Sequence, residues 1–217
     1  MPATDTPIIV FARAPEPGQA KTRLIPLLGA HGAAALQEKM IERTLATARA
    51  AACGPVELWC DPSAHHPWLA QCMQKHGIGG ATQCEGDLGA RMLHAATTAL
   101  ATATRVVIIG TDCPALTAAD VRAATDALET HDCVLIPAED GGYVLIALKW
   151  WDARLFSDMP WGGEQVLAKT RERLTALEWR WHEMPALWDI DRPADVARLE
   201  ASGLMPEWSA HGLLPRF

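Results

Sequence analysis

Arg105-Val106-Val107-Ile108-Ile109-Gly110-Thr111-Asp112-Cys113-Pro114 is the stretch of sequence that decides the fold. The four residues before the glycine are all apolar and β-branched, as is typical of a strand that helices cover on both faces of a sheet. A turn bounded by glycine and proline follows, with one carboxylate inside it. The stretch therefore predicts a central strand of an α/β protein with Asp112 at its carboxyl end.

Strand-like runs on both sides of this stretch alternate with segments of helical periodicity. We predict further strands at residues 7–12, 56–60, 81–84, 133–137, 143–148 and 178–183. We predict helices at about residues 32–52, 66–76, 86–102, 117–129, 163–174 and 193–201. This alternation indicates a mostly parallel sheet with helices on both faces, and hence a three-layer α/β/α fold. Residues 1–202 are predicted to form a single domain, and residues 203–217 an irregular tail.

The composition limits the partners that this protein can have. The formal net charge is -7, which argues against general binding to nucleic acid or anionic membranes, because both require clustered Lys and Arg. No apolar run reaches the ~20 residues of a membrane span, and no signal-like segment opens the chain, so we expect a cytoplasmic protein. The six cysteines include no CxxC pair and are expected to be reduced thiols, mostly in the core.

The segment after the first predicted strand is rich in cations. Arg13, Lys21 and Arg23 lie within eleven residues, and Gly18 with the neighbouring prolines shapes the turn. Lys supplies a point charge and Arg a bidentate fork for phosphate, and the backbone N–H groups of a following helix add to such a site. The GxxxxGK[ST] spacing of a P-loop is absent. The segment is therefore either a phosphate-binding turn or a solvated basic loop.

Two further turns carry carboxylates that could hold a metal ion. Mg²⁺ prefers one or two carboxylates with water and phosphate oxygens, so Asp112 is a candidate ligand; the alternative is that it only ends the strand or caps a helix. Asp189 and Asp191 point to the same side if that segment is extended, which makes Asp191 a candidate second ligand. The alternative is that Asp191 caps the helix that begins at Pro193.

Two glycine-containing segments complete the set of candidates. Gly141 and Gly142 follow Asp140, and either they let the backbone approach a ligand closely or they form a plain hairpin turn. Asp87 is placed to cap a helix whose amino terminus faces the nucleotide, with Arg91 one turn further along. Both segments are expected at the ligand-binding edge, because ligands of open parallel sheets bind beyond the carboxyl ends of the strands.

In this order, the motifs resemble those of bacterial glycosyltransferase-A-like (GT-A) proteins known as radical-SAM/selenodomain-associated transferases. The matching motifs lie between about residues 8 and 199 and are Phe11-Ala12-Arg13-Ala14-Pro15, Gly18, Lys21-Thr22-Arg23-Leu24, Gly86-Asp87-Leu88-Gly89, Gly110-Thr111-Asp112-Cys113-Pro114, Asp140-Gly141-Gly142-Tyr143 and Asp189-Ile190-Asp191. The chain is more distantly similar to 2-phospholactate guanylyltransferase and to the molybdenum-cofactor nucleotidyltransferases. It departs from them at Ala12-Arg13-Ala14-Pro15, which replaces a Gly-rich loop, and at Tyr143, which replaces a threonine.

The resemblance implies a nucleotide-diphospho-sugar-transferase fold with a mostly parallel mixed sheet, and Mg²⁺, or Mn²⁺ in its place, on Asp112 and Asp191. The residues that we assign to nucleotide binding are Arg13, Gly18, Lys21, Thr22, Arg23, Asp87, Arg91 and Thr111. Those that we assign to acceptor binding are Gly141, Gly142, Tyr143 and Glu164, and those assigned to catalysis are Lys21, Asp112 and Asp140.

The predicted function is transfer from an activated nucleotide to a small-molecule acceptor. Glycosyl transfer from a nucleotide sugar and nucleotidyl transfer from a nucleoside triphosphate would both use these residues. The alternative is a regulatory protein that binds a nucleotide on the same fold without turnover. The nine tryptophans are expected to fill the core and rim, or else to form a substrate wall or a homodimer contact.

Overall fold

The computed structural model describes residues 5–206, through which one seven-stranded sheet runs. Its strands are β1 (Ile8–Arg13), β2 (Val56–Asp61), β3 (Gly79–Thr82), β4 (Val106–Gly110), β5 (Cys133–Pro137), β6 (Tyr143–Leu148) and β7 (Trp181–Glu183). Its helices are α1 (Ile25–Ala51), α2 (Pro67–His76), α3 (Leu88–Leu100), α4 (Ala118–Ala127), α5 (Ala153–Phe156), α6 (Val166–Ala176) and α7 (Pro193–Ser202), and a 3-10 turn spans Thr22–Leu24. The strand order across the sheet is β3-β2-β1-β4-β6-β5-β7.

The sheet is mixed, and one strand accounts for the antiparallel pairings. β1 pairs in parallel with β2 and β4, β2 with β3, and β5 with β7. β6 runs antiparallel to both of its neighbours, β4 and β5. The chain between β5 and β6 is only five residues long, from 138 to 142, and a parallel crossover needs a dozen or more. The prediction of a mostly parallel mixed sheet is confirmed.

Helices cover both faces of the sheet because the central strands are apolar on both sides. Alternate residues of β1 divide between the faces, with Ile8 and Val10 in one core cluster and Ile9 and Phe11 in the other. The first cluster is closed by α1, α2 and α4, and the second by α3, α5 and α6. The three-layer arrangement predicted from the alternation of elements is therefore confirmed.

A third, smaller core holds the segment before α7 against the start of α1. Trp188 and Ile190 are buried there together with Leu24, Leu28 and residues of α7. This packing brings a segment from the end of the chain to the edge of the sheet near β1 and β4. It positions the carboxylates on either side of Ile190.

The structure moves several predicted boundaries. α1 begins at Ile25 rather than near residue 32, and Gly29, at a φ of 70°, kinks it and breaks its periodicity. The four-residue helix α5 is too short to show a period and was not predicted. The last strand begins at Trp181 rather than at residue 178, because Glu178 has a φ of 57° and cannot extend a strand. Most of the predicted tail, residues 203–217, lies outside the described residues.

Two composition-based expectations can be compared with this structure. All six cysteines are free and five of them are buried, which confirms reduced, mostly core thiols. Within residues 5–206, none of the helices combines the length and hydropathy that a bilayer span requires.

Candidate active site

The carboxyl ends of β1 and β4 bring the basic turn and the first acidic turn together. These strands are parallel neighbours, so the loops that leave them emerge at the same edge of the sheet. The Nζ of Lys21 lies 2.7 Å from Oδ1 of Asp112 and donates a second hydrogen bond, 2.8 Å long, to the carbonyl of Ile190. The Lys21 side chain is 6% exposed, whereas that of Asp112 is 59% exposed. A buried ammonium therefore lies behind a carboxylate that remains open to solvent.

A left-handed turn gives Lys21 this position. Gly18 has a φ of 87°, and Lys21 itself has a φ of 44° and a ψ of 48°. A side chain in that region costs on the order of 1–3 kcal/mol. The ion pair with Asp112 and the hydrogen bond to Ile190 offset this cost, so the turn and the acidic edge stabilise each other.

Arg23 and Asp191 form a second ion pair beside the first. Their side chains are in direct contact, and both are partly exposed. Asp191 does not cap α7, since Arg192 occupies the N-cap position and Asp195 accepts hydrogen bonds from the backbone N–H groups of both 191 and 192. The capping alternative for Asp191 is therefore wrong, and its carboxylate is directed to the basic turn.

Four carboxylates share one cleft at this edge. Asp112, Asp140, Asp189 and Asp191 line a cavity of about 330 Å³ together with Arg23, and we call it the acidic cleft. Burial raises the pKa of Asp189 to about 6, and the nearby charges of Asp140, Asp112 and Asp191 act in the same direction. Such an excess of carboxylates at an open cleft is the oxygen-rich donor set that a hard divalent cation prefers.

Asp189 is the member of this set that sequence reasoning missed. Only Asp191 was predicted to reach a metal, although the two residues were expected to point the same way. The structure places both in the acidic cleft and makes Asp189 the one whose pKa is raised by burial. The acid pair at i and i+2 was the available signal.

The double-glycine turn is a hairpin, as one of the two alternatives predicted. Ala138 donates a backbone hydrogen bond to the carbonyl of Gly142, and Oδ1 of Asp140 accepts one from the Gly142 N–H, 2.9 Å long. Gly141 has a φ of 92°, and a Cβ there would lie 2.3 Å from the carbonyl oxygen of Glu164. The close approach that requires glycine is therefore to the chain before α6. That contact brings Glu164 beside Asp140.

A second, wider cleft continues from the acidic cleft past Glu164. Its volume is about 830 Å³, and Asp140, Asp189, Asp191 and Arg23 line both cavities. We call it the outer cleft. The predicted acceptor residues divide between the two, because Gly142 and Tyr143 line the acidic cleft while Gly141 and Glu164 line the outer one.

Tyr143 contributes its ring rather than its hydroxyl. The hydroxyl lies 3.8 Å from Sδ of Met92, inside the core, and burial raises the pKa of Tyr143. Trp161 meets the ring edge-on at a centroid distance of 6.5 Å and also lines the acidic cleft. Trp161, one of the nine tryptophans, therefore lines the candidate site, in agreement with the alternative that some of them form a substrate wall.

The two other arginines assigned to nucleotide binding, Arg13 and Arg91, lie in a neighbouring cleft. Nε of Arg13 lies 3.1 Å from one oxygen of Asp61, and Nη1 of Arg91 lies 3.3 Å from the other. All three residues line a cavity of about 300 Å³ at the carboxyl ends of β1 and β2. Neither arginine lines the acidic cleft. Asp61, at the end of β2, was not among the predicted site residues.

Of the three remaining residues assigned to nucleotide binding, Asp87 and Thr111 have structural roles. Asp87 caps α3 by accepting a 2.8 Å hydrogen bond from the Ala90 N–H, as expected. Thr111 is buried, and its hydroxyl accepts a 3.4 Å hydrogen bond from Gln37, so this side chain supports the turn from beneath. Thr22 is exposed at the start of the 3-10 turn.

These features define a nucleotide-diphospho-sugar transferase (GT-A-like) fold with its acidic and basic turns at one edge. A crystal structure from Desulfovibrio desulfuricans G20, provisionally named a nucleotide-diphospho-sugar transferase, matches with a TM-score of 0.84 at 27% identity, over 96% of this chain and 93% of that one. A nucleotidyl transferase from a Methanothermobacter species matches at 0.62 and 16%, over 93% and 99%. Glucosyl-3-phosphoglycerate synthase of Mycobacterium tuberculosis, solved with Mn²⁺, UDP and glucosyl-3-phosphoglycerate, matches at 0.55 and 11%, over 93% and 77%.

The chain belongs to a family of uncharacterized proteins conserved in bacteria, DUF2064, whose model matches residues 44–163. Among curated proteins, no sequence matches it.

Proposed function

We propose that this protein is a divalent-metal-dependent glycosyltransferase that transfers a sugar from a nucleotide-diphospho-sugar to a hydroxyl group of a small acceptor. The observation that supports this most directly is the acidic cleft, which four carboxylates and Arg23 line, with the ammonium of Lys21 behind Asp112. The provisional name of the 27%-identical structure agrees with this reaction class. Membership of the radical-SAM/selenodomain-associated branch is a finer part of the same proposal.

The charges of the site suit a metal-bound diphosphate. The four carboxylates exceed the two cations, Lys21 and Arg23, by two charges, which one divalent cation would offset. Asp112 and Asp191 would hold Mg²⁺ or Mn²⁺, and Asp189 would be the third carboxylate. The metal would supply charge neutralisation on the departing diphosphate. Lys21 and Arg23, released from their carboxylate partners, would then bind phosphate oxygens.

The outer cleft favours an uncharged acceptor over a phosphate. Its carboxylates are Glu139, Asp140, Glu164, Asp189, Asp191 and Asp195, and its cations are Arg23, Arg192 and Arg198. Arg198 is already engaged with both oxygens of Glu139, at 2.6 and 3.0 Å. An anionic acceptor would meet net repulsion there, whereas a sugar-like hydroxyl would find many acceptors for its hydrogen bonds. Asp140, which lines both clefts, is the proposed residue that orients this hydroxyl and accepts its proton.

Nucleotidyl transfer is the second candidate, and the neighbouring cleft supports it. Arg13 and Arg91 would add cations for a triphosphate, which carries more charge than a sugar diphosphate. Two observations speak against nucleotidyl transfer: both cations share Asp61, and the reaction would bring a second phosphate to the outer cleft.

We further propose a cytoplasmic location, in which the six free thiols remain reduced.

A donor screen tests the proposal. The purified chain is incubated with each common nucleotide sugar or nucleoside triphosphate, Mg²⁺ or Mn²⁺ and a panel of hydroxyl and phosphate acceptors. Acceptor-dependent release of a nucleoside diphosphate, lost in Asp112→Asn and kept in Asp126→Asn, supports glycosyl transfer. Release of pyrophosphate from a nucleoside triphosphate would contradict glycosyl transfer and support nucleotidyl transfer. Metal-dependent binding without any turnover would favour the regulatory alternative.

A further inference from the structure

A second group of metal-ligating side chains lies between α1 and α2, and none of its members lines the clefts described above. Cys72 and His76 are four residues apart on α2, so they lie one turn apart on the same helix face. Glu42 reaches them from α1. Its Oε2 lies 2.6 Å from Nε2 of His76, and its Oε1 lies 4.0 Å from Sγ of Cys72.

This group is enclosed more deeply than an ordinary surface ion pair. Cys72 is 3% exposed, the side chain of His76 is 12% exposed and that of Glu42 is 27% exposed. One ligand atom from each residue falls within 4.8 Å of the other two. A thiol, an imidazole and a carboxylate that converge in this way form the mixed sulfur, nitrogen and oxygen donor set that zinc accepts.

We propose that Glu42, Cys72 and His76 bind a zinc ion, with water in the fourth position. Zinc bonds of 2.0–2.3 Å in a tetrahedron place neighbouring ligand atoms roughly 3.4–3.6 Å apart. The observed separations, 2.6 Å from Oε2 of Glu42 to His76 and 4.0 Å from its Oε1 to Cys72, lie on either side of that range, and one ligand atom of each residue lies within 4.8 Å of the others. Side-chain rotation would have to bring the three ligand atoms to the tetrahedral spacing. Binding forms a Zn–S bond, breaks the S–H bond of Cys72 and releases one proton to solvent.

Lys75 occupies the position of a competing cation. Its Nζ donates a 2.8 Å hydrogen bond to Oε1 of Glu42, the oxygen nearer to Cys72, and its side chain is 63% exposed. The ammonium must withdraw when a metal binds. Burial, together with the charge of Glu42, raises the pKa of the Cys72 thiol to about 11, so the proton to be displaced is present at neutral pH.

Cobalt titration of the full chain tests the proposal, because a thiolate ligand produces an intense near-ultraviolet charge-transfer band. We expect one equivalent of Co²⁺ to give this band in the presence of excess Mg²⁺, and Zn²⁺ to remove it. Cys72→Ser should abolish the band and His76→Gln should weaken Zn²⁺ affinity more than about 100-fold, since outer-shell changes alone cost 10–100-fold. Cys84→Ser and His65→Gln, a half-buried thiol and an exposed imidazole elsewhere, are the matched controls and should change neither.

Lys75→Met supplies a test that does not depend on removing a ligand. It should bind Zn²⁺ more tightly than the unmodified chain, because the competing ammonium is gone; unchanged or weaker binding would contradict the proposal. Absence of the thiolate band, or its persistence in Cys72→Ser, would overturn the site. Circular dichroism of each apo-variant checks that the fold is retained, and if Cys72→Ser does not fold, His76→Gln and Lys75→Met decide the question.

Discussion

Replacing Asp112 with asparagine should weaken metal-dependent nucleotide binding roughly 100-fold while changing the stability of the fold much less. The reason lies in the contrast between the two partners of the Lys21–Asp112 pair. The ammonium is buried and keeps its hydrogen bond to the carbonyl of Ile190, whereas the carboxylate is 59% exposed. An amide oxygen in the same position can still accept the hydrogen bond from Lys21, so only the charge is lost.

The two effects differ in size. A fully exposed ion pair is worth about 1 kcal/mol or less, but the Lys21 ammonium is only 6% exposed, so loss of its partner's charge should cost roughly 1–2 kcal/mol while both hydrogen bonds of Lys21 are kept. For a chain of this length that corresponds to a fall in melting temperature of roughly 2–8 °C. In the complex, the Asp112 carboxylate would be enclosed together with the metal ion. Loss of one charge from such an enclosed pair costs about 3 kcal/mol or more, which lowers the affinity for the metal-bound nucleotide roughly 100-fold.

The assay combines calorimetric titration of the nucleotide, with and without Mg²⁺ or Mn²⁺, and thermal unfolding of the free protein. Asp126→Asn is the matched control, since Asp126 is an exposed residue of α4 and should affect neither measurement. If Asp112→Asn binds nucleotide in the presence of metal with the affinity of the unmodified chain, the metal assignment is refuted. A loss of melting temperature well beyond the expected range would instead show that Asp112 is mainly structural.

Two further predictions concern the same edge of the sheet. Because the pKa of Asp189 is raised from 3.8 to about 6, the folded chain holds this proton more tightly than the unfolded chain, and the stability that depends on it falls as pH rises from about 4 to 6. In EDTA, Asp189→Asn should therefore be more stable than the unmodified chain by about 1 kcal/mol above pH ~6.5, after allowance for the partial exposure of Asp189. Below pH ~4 the two chains should differ little in stability. Chemical denaturation measures the difference, and a difference that does not change with pH would contradict this prediction. Gly141→Ala should lower the free energy of unfolding by about 3 kcal/mol or more, because the new Cβ would lie 2.3 Å from the carbonyl oxygen of Glu164. The control Gly162→Ala has a similar φ of 78° but open space around its Cβ, and it should cost about 1 kcal/mol. Equal losses of stability in chemical denaturation would show that the backbone conformation, and not the contact with Glu164, sets the cost.

Local signals explain why several elements were predicted correctly. β5 and β6 have the predicted bounds, and α4 begins with the capping box of Thr117 and Asp120 that its sequence shows. α2, predicted at residues 66–76, ends at Gly77 in the left-handed conformation that glycine adopts most readily. Each of these depends on residues within one or two turns of the chain.

The candidate site was predicted in part. Lys21, Arg23, Asp112 and Asp191 do meet at one edge of the sheet, although their roles in binding and catalysis stay predictions. Thr111, assigned to nucleotide binding, has a buried side chain, and Tyr143, assigned to acceptor binding, lines the acidic cleft but has its hydroxyl in the core. Burial of a particular side chain depends on what packs above it, and a motif does not contain that information.

The sequence by itself determined the fold class, the position of the acidic and basic turns at strand ends, and the chemistry that these turns carry. Strand periodicity and turn residues act over a few positions, so they can be recognised without the rest of the chain. Only the tertiary structure decided which charges neutralise one another: Lys21 with Asp112, Arg23 with Asp191, and Arg13 and Arg91 with Asp61. These pairings join residues from 30 to 168 positions apart, and electrostatic energy depends on distance in space and on burial, which the folded sheet alone defines.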